Sequence, residues 1–407
     1  MLNTAMNAMS AIRSKAFVSL LVFLCVDLLV RVAMTNGSFD KFDAFNHRKP
    51  WWQVKAYKEL ASAPDVVLIG SSLLEHVVNE GEATYLNTEI NSVKHNKSKH
   101  FEDAVFKQTG TPINTFAFGL SGLHASDAAV MVNGLLKEKA PATLIYTIAP
   151  RDFCDNMLGT IGSTEPFELM RRISVLGELE LHSLLNSDER FEHRCSSVFD
   201  TLSAQSKYRH ELNTVAQRTY RTNAIPLLSR YVEKPKTPMP QLPPDIRQEE
   251  FDFADYVAVF PDNEHNVRVT NNLACYQFCY QPFKPNAYYA QFYYLDYMLR
   301  FAKQQNMNVI LVNMPLRKDN LNAMIPNFYT MYKNDVKKIA AKYDTQFVDM
   351  FDTDTFTDAD FLDTVHLSGK GSVKFVDKLA NAIAPDVAAS VVKHGRDGKV
   401  AVAAEEE

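Results

Sequence analysis

Five short apolar segments recur along the chain, and each stops where glycine, serine, proline or charged residues follow. Each is six or seven residues long and rich in β-branched or aromatic residues. Such runs are typical of strands that are buried on both faces of a sheet. The predicted strands are DVVLIG (65–70), INTFAFG (113–119), TLIYTIA (143–149), NVILVNM (308–314) and TQFVDM (345–350).

Between these strands, apolar residues recur every three or four positions, which predicts amphipathic helices. The clearest of these patterns cover residues 126–139, 288–305, 329–343 and 371–384. Alternation of strands and helices favours a right-handed, doubly wound parallel sheet. The predicted fold class is therefore α/β.

The alternation is interrupted in the middle of the chain. Residues 155–285 contain no clear core strand, and the stretch EKPKTPMPQLPPD (233–245) carries five prolines, which is typical of an extended surface segment. We predict a mostly helical insertion that lies over one end of the sheet and divides the sheet domain into 36–154 and 286–390. Residues 391–407 are predicted to be a disordered tail.

The N-terminal pattern is different, because residues 16–34 are almost continuously apolar. This is the length that a helix needs to cross a bilayer. Basic residues precede the segment, which favours a cytoplasmic N-terminus, and Asp27 and Arg31 interrupt it at a spacing that lets them pair. We predict that residues 1–35 form a cytoplasmic stub and an uncleaved single-pass anchor in a bacterial inner membrane. A buried helix of a soluble protein is the alternative.

Composition narrows the function classes. Of the 407 residues, 46% are apolar and 22% are charged, and the net charge is −5. An ordinary globular composition without a basic surface excludes nucleic acid from the expected partners. Four cysteines lie outside the apolar N-terminal segment, enough for two disulfides, although free buried thiols are an equal alternative. The spacing of these cysteines is not that of a zinc site. They are Cys154, Cys195, Cys275 and Cys279.

Residues suited to catalysis follow the first three predicted strands. Ser71 and Ser72 follow the first strand, Gly122 the second and Arg151 the third. The carboxyl ends of parallel strands meet at one edge of a sheet, where open α/β folds place their ligands. We therefore expect these residues to lie close together, whereas His124, two residues after Gly122, is assigned no role.

A histidine and an aspartate near the C-terminus complete the set that nucleophilic acyl transfer requires. The stretch DTVH places Asp363 three residues before His366. Acyl transfer needs an exposed serine, a histidine base, an orienting carboxylate and donors for the oxyanion. Structural explanations remain open for the other residues: the serines can cap a helix, Gly122 can permit a tight turn, and Arg151 can pair with its neighbour Asp152.

These motifs, in this order, resemble the SGNH (GDSL-type) hydrolase superfamily. Its blocks are Gly-Asp-Ser after the first strand, an oxyanion glycine after the second, Gly-x-Asn-Asp after the third, and a final Asp-x-x-His. The resemblance implies a three-layer, flavodoxin-like sheet with Ser72 as nucleophile and Gly122 as oxyanion donor. It also implies that His366 is the base and that Asp363 orients it.

Two blocks depart from the family pattern. Ser71 stands where the family has aspartate, and APRD places Arg151 where the family has its oxyanion-donating asparagine. A guanidinium also donates hydrogen bonds to an oxyanion and adds a positive charge. The change is compatible with a working oxyanion site and equally with a site adapted to an anionic substrate.

The Gly-Ser-Ser block, the N-terminal anchor and the chain length are similar to those of membrane-anchored branches of this superfamily. These branches include the D-alanyl-transfer protein of the teichoic-acid pathway and the acetylation proteins of alginate export. The resemblance implies an extracytoplasmic domain that moves acyl groups on a cell-envelope polymer, beside a multi-span membrane O-acyltransferase.

We therefore expect ester hydrolysis or acyl transfer on an acylated glycan or related polymer, without a metal or an organic cofactor. The alternatives are a catalytically silent module that binds glycan or scaffolds the membrane acyltransferase, and a soluble cytoplasmic esterase.

Overall fold

Two units divide the chain in the computed structural model. One joins residues 1–47 with 181–250, and the other joins residues 48–180 with 251–407. The structure describes residues 2–36, 49–157, 164, 166–167, 169–170, 187–209, 212, 257–262, 271–351 and 355–405.

The second unit is built around a five-stranded parallel sheet. Its spatial order is β3-β1-β4-β6-β7, and a separate antiparallel pair is formed by β2 and β5. All five predicted strands are present in the sheet, so the prediction of an α/β fold with a parallel sheet is confirmed. The strands are β1 (Val66–Gly70), β2 (Ile90–Asn91), β3 (Thr115–Gly119), β4 (Thr143–Ile148), β5 (Ala258–Val259), β6 (Asn308–Asn313) and β7 (Gln346–Asp349).

Burial on both faces explains why the central strands read as continuous apolar runs. Every residue of β1, β3 and β4 is buried, and Leu68 of β1 lies between Ala117 of β3 and Ile145 of β4. A sheet covered on both faces has no solvent side on which polar residues would alternate. Because β1 lies between the second and third sheet strands of the chain, the connections diverge at its carboxyl end, which is where such folds bind ligands.

Helices of the second unit pack on one another and on the strands of the sheet. In the second unit α6 packs on α10, α5 packs on α13, and α3 packs on β1 and β3. The four predicted helices correspond to α6, α10, α12 and α13. The helices are α1 (Leu2–Asn36), α2 (Lys49–Lys58), α3 (Ser72–His76), α4 (Glu82–Leu86), α5 (Lys99–Thr109), α6 (Ala125–Gly134), α7 (Ser187–Leu202), α8 (Ala204–Lys207), α9 (Leu273–Tyr280), α10 (Pro285–Gln304), α11 (Lys318–Asn322), α12 (Phe328–Tyr343) and α13 (Gly369–Glu405).

The predictions for the C-terminal tail and for the insertion have different outcomes. The tail predicted to be disordered from 391 instead continues α13 to Glu405. Of the predicted insertion, the structure describes helices α7, α8 and α9 and the short strand β5, whereas the proline-rich stretch 233–245 lies outside the described residues.

The first unit contains the apolar N-terminal helix. Within α1, Lys15–Ala33 is long and apolar enough to cross a membrane, as judged from length and composition. Asp27 and Arg31 form the ion pair that their spacing predicts, with 3.3 Å between Oδ2 and a guanidinium nitrogen. All five cysteines of the chain are free in the structure.

Candidate active site

The predicted nucleophile lies at the carboxyl end of β1. The strand ends at Gly70, Ser71 is buried in an extended conformation, and Ser72 is the first residue of α3. The side chain of Ser71 makes no capping hydrogen bond to α3. Helix capping therefore does not account for the two adjacent serines.

Ser72, His366 and Asp363 are hydrogen-bonded in a chain. The distance from His366 Nε2 to Ser72 Oγ is 2.8 Å, and that from His366 Nδ1 to Asp363 Oδ2 is 2.6 Å. Since a carboxylate accepts hydrogen bonds, this geometry places the ring proton on Nδ1 and leaves Nε2 to accept the proton of the Ser72 hydroxyl. The structure thus brings together all three residues that the sequence suggested for nucleophile, base and orienting acid.

The loop that carries Asp363 and His366 is held by polar contacts at its centre. Phe361 and Leu367 form an antiparallel bridge across it. Between them, the Thr364 hydroxyl donates to Asn272 Oδ1 at 2.6 Å and accepts from Asn320 Nδ2 at 3.1 Å. These contacts restrict the loop and so the position of the imidazole ring.

Asp363 is held as a carboxylate by the same loop. Its Oδ1 accepts the backbone N–H groups of Val365 and His366, both at 2.8 Å. Burial alone would raise the pKa of Asp363, but the hydrogen bonds from the ring and backbone of His366 and from Val365 outweigh it and hold this pKa below its ordinary value. A buried carboxylate that stays ionised stabilises the imidazolium that forms when His366 takes a proton.

Glycines let the elements around Ser72 approach closely. A Cβ at Gly119 in β3 would lie 2.5 Å from Glu75 Cα in α3, and a Cβ at Gly70 would overlap the Thr147 hydroxyl of β4. Only hydrogen fits at these contacts. The glycines therefore allow the backbone of α3 to rest on the sheet with Ser72 at its start.

The second predicted block follows β3 beside the nucleophile. Gly70 pairs with Gly119, and Leu120 donates its N–H to the Gly70 carbonyl at 2.9 Å, so this turn runs alongside the end of β1. Gly122 has a φ of 78°, a conformation that favours glycine, and no atom lies within 4 Å of a Cβ built on it. The backbone at Gly122 thus borders open space at the same sheet edge as Ser72.

Arg151, after β4, is paired with a different aspartate from the one the sequence suggested. Its guanidinium lies 2.6 Å from Asp155 Oδ2. Asp152, in contrast, accepts the backbone N–H of Ala149 at 2.9 Å. Burial raises the pKa of Asp152 to about 6, although the positive charges of His124 and Arg151 oppose this. The alternative of an Arg151–Asp152 pair, which the sequence left open, is thus replaced by a pair of Arg151 with Asp155, four residues away.

His124, to which the sequence assigned no role, is buried in the same ionic network. Its Nε2 lies 3.5 Å from Asp155 Oδ2, and its Nδ1 lies 3.8 Å from Asp127 Oδ2. Burial alone would lower the pKa of His124, but these two carboxylates outweigh it and raise the pKa to about 9. His124 is therefore a buried cation at neutral pH, and together with Arg151 it holds the pKa of Asp155 well below its usual range against the effect of burial.

A second histidine, His76, lies against the triad and was also not identified from the sequence. The centroids of the His76 and His366 rings are 4.4 Å apart, with the ring planes tilted by 38°. His76 Nδ1 lies 3.1 Å from Glu80 Oε1. The one available signal was spacing, because residues 72 and 76 share a face of a helix.

Tyr276 of α9 is influenced by charges of both the ionic network and the triad. Its side chain is buried, which raises the pKa of its phenol, and the charges of both Arg151 and Asp363 act on it. Arg151 and Asp363 thus have Tyr276 as a common neighbour.

Among the described residues, no three His, Cys, Asp or Glu side chains are grouped so that they could hold a metal ion. No protein-family model matches the chain. No curated protein is significantly similar to it.

Proposed function

We propose that this protein is a serine-dependent acyl-transfer enzyme with the three-layer fold of the SGNH superfamily, anchored in a bacterial inner membrane by α1 with its second unit outside the cytoplasm. The observation that carries the proposal is the hydrogen-bonded chain from Ser72 through His366 to Asp363. The substrate class we propose is an acylated glycan or related polymer of the cell envelope, with a multi-span membrane O-acyltransferase as the partner.

The first step is attack by the serine. His366 Nε2 takes the proton from Ser72 Oγ as that oxygen bonds to the acyl carbon of an ester, and Asp363 stabilises the resulting imidazolium. The carbonyl π electrons move to oxygen, where the N–H groups of Ser72 and Gly122 are the candidate donors. When the tetrahedral intermediate collapses, His366 returns the proton to the leaving alcohol, and the acyl group remains on Ser72.

The second step repeats this chemistry with a new acceptor. His366 removes a proton from the acceptor hydroxyl as it attacks the acyl-serine, and returns this proton to Ser72 Oγ as the bond between the acyl carbon and Oγ breaks. Water as acceptor gives hydrolysis, and a sugar hydroxyl gives transfer. These reactions share one triad and differ in how well the acceptor site excludes water.

Arg151 is the third candidate donor to the oxyanion or to an anionic substrate group. One side of its guanidinium is occupied by Asp155, but a guanidinium has five N–H donors, so others remain. Its side chain is 16% exposed. The ion pair with Asp155 also restricts the guanidinium, which favours a defined geometry.

The alternative of a catalytically silent binding or scaffolding module would be favoured by a Ser72 hydroxyl distant from the His366 ring. The 2.8 Å separation of these groups supports the enzyme instead. Aspartate, histidine and serine at these distances activate a nucleophile in unrelated folds, so the geometry supports the proposal independently of any family resemblance.

The test is covalent labelling of the full-length protein in lipid nanodiscs with a fluorophosphonate, followed by intact-mass spectrometry. We expect one adduct on the wild type, none on Ser72→Ala, and labelling slowed on the order of 10³-fold or more in His366→Ala. Ser390→Ala is the matched control, because this serine hydrogen-bonds the Ala142 carbonyl before β4, at the opposite edge of the sheet, and should label normally. An unlabelled but folded wild type would favour the silent module.

A further inference from the structure

Helix α7 in the first unit carries an apolar stripe. Phe191, Val198, Phe199 and Leu202 are between 57% and 71% exposed. At 100° per residue, these positions fall within an arc of about 100°, which is one face of the helix. Six of the sixteen residues of α7 are Asp, Glu or Arg, and five of them lie outside this arc, whereas the sixth, Asp188, is in the first turn of the helix.

The end of α7 is tied to the apolar helix α1. Immediately after α7, the Ser203 hydroxyl donates to Asp27 Oδ1 at 2.8 Å, and the backbone N–H of Gln205 donates to the same oxygen at 3.1 Å. The side chain of Gln205 also reaches the Phe23 carbonyl at 3.5 Å. Asp27 is therefore bound both by Arg31 within its own helix and by the start of α8.

If α1 crosses a membrane, the position of Asp27 in α1 gives the depth at which the end of α7 contacts it. Asp27 lies six residues before Ala33, where the candidate span ends. At a rise of 1.5 Å per residue, this is about 9 Å inside that end of the span. Amphipathic helices that lie in the plane of a membrane surface bury their apolar face by about 5–10 Å, so the end of α7 is at the corresponding level.

The junction also satisfies its own backbone groups, as a lipid environment requires. Ser203 N–H donates to Phe199 O at 2.8 Å, and Lys207 N–H donates to Ser203 O at 3.0 Å. Ser206 N–H donates to the Ser203 hydroxyl at 3.3 Å, and Gln205 N–H is bound by Asp27. Unpaired N–H groups would be costly at this depth, and these four are paired.

We propose that α7 lies in the plane of the bilayer surface, with its apolar stripe among the lipid acyl chains and its charged face towards water. The proposal rests on α1 crossing the membrane. Lipid is the occupant that the observations favour, because the stripe is continuous in depth with an apolar span and because a narrow apolar face on a charged helix is typical of in-plane helices. The chain then has a second membrane contact next to its anchor.

The test uses tryptophan fluorescence of the full-length protein in phosphatidylcholine vesicles at a low protein-to-lipid ratio. Trp51 and Trp52 are replaced by phenylalanine, and a single tryptophan is introduced by Phe199→Trp or by Arg194→Trp. Arg194 is exposed and lies about 90° around the helix from the middle of the stripe. Circular dichroism and thermal unfolding select variants that keep the wild-type fold.

We expect blue-shifted emission from Phe199→Trp, quenched at least about twofold by lipids brominated on their acyl chains, and little such quenching from Arg194→Trp. Adding Asp27→Ala should reduce the quenching of Phe199→Trp, because the tie to α1 is lost. Equal quenching of both single-tryptophan variants by aqueous acrylamide, with none by brominated lipid, would overturn the proposal.

Extraction of the same vesicles at alkaline pH distinguishes an α7 that does not contact lipid from an α1 that does not cross the membrane. Retention in the lipid without quenching of Phe199→Trp refutes the position of α7 alone, whereas release of the protein refutes the anchor and the proposal together. Blue-shifted emission that depends on protein density but not on brominated lipid would show that a second copy covers the stripe, and would also overturn the proposal.

Discussion

At Gly119, one added methyl group tests whether the position of α3 controls the reactivity of Ser72. A Cβ at this position would lie 2.5 Å from Glu75 Cα and 2.9 Å from Glu75 N, both backbone atoms of α3. Carbon atoms pack at about 3.5–4.0 Å, so α3 must move by roughly 1 Å or more. Since a misplacement of this size costs on the order of 10²-fold in rate, we expect Gly119→Ala to react about 100-fold more slowly with the fluorophosphonate.

The assay compares the labelling rate with the free energy of unfolding. Overpacking should cost Gly119→Ala roughly 1–3 kcal/mol, which leaves a folded protein to test. Gly110→Ala is the matched control, because Gly110 has a φ of 70° and no atom within 4 Å of its Cβ position. The control should lose about 1–2 kcal/mol from backbone strain but keep the wild-type labelling rate. A folded Gly119→Ala protein that labels within about twofold of wild type would refute the reasoning.

Two further predictions concern the histidines that the sequence left without a role. The pKa of His124 is raised to about 9 in the folded protein, so its stabilising contribution is complete below the unfolded value of about 6.5 and is lost as pH rises through 9. The free energy of unfolding of the wild type should therefore fall by up to about 3 kcal/mol between these pH values. Urea titrations at several pH values should show no such fall for His124→Gln. If stability depended on pH in the same way in both proteins, His124 would not be the group responsible. Burial alone would lower the pKa of His76, but Glu80, Glu75 and Asp363 outweigh it and hold the pKa above its ordinary value, and the His76 ring centroid lies 4.4 Å from that of His366. His76→Phe should therefore change the pH dependence of the labelling rate below neutral pH, where wild-type His76 is increasingly protonated, and a profile that matches that of the wild type would count against this coupling.

The sheet and the triad were predictable from local signals. Each strand of the five-stranded sheet is a short apolar run that ends in turn-forming or polar residues, and burial on both faces explains these runs. Ser72 and the pair formed by Asp363 and His366 lie in short motifs whose residue types are those of acyl transfer. Such motifs can be recognised from their residue types alone, before any contact between them is known.

The ionic network was not predictable, because it depends on strand order. His124 follows β3, whereas Arg151 and Asp155 follow β4, and these strands flank β1 in the sheet. No sequence spacing relates residues 124 and 155, and only the order β3-β1-β4 brings them within 3.5 Å. The nearer aspartate in sequence, Asp152, was therefore the only partner that the sequence suggested for Arg151, but it accepts the Ala149 backbone N–H instead.

The sequence by itself determined which segments become buried strands and helices, which N-terminal segment is apolar enough to span a membrane, and which residue types are available at the strand ends. Hydrophobic periodicity and turn chemistry are local properties, so they can be recognised in a single chain. Only the tertiary structure decided that His76 lies against His366, that Asp155 pairs with Arg151, and that Asp27 binds the start of α8. These contacts join residues through packing and buried charge, whose energies depend on distances that exist only after the chain has folded.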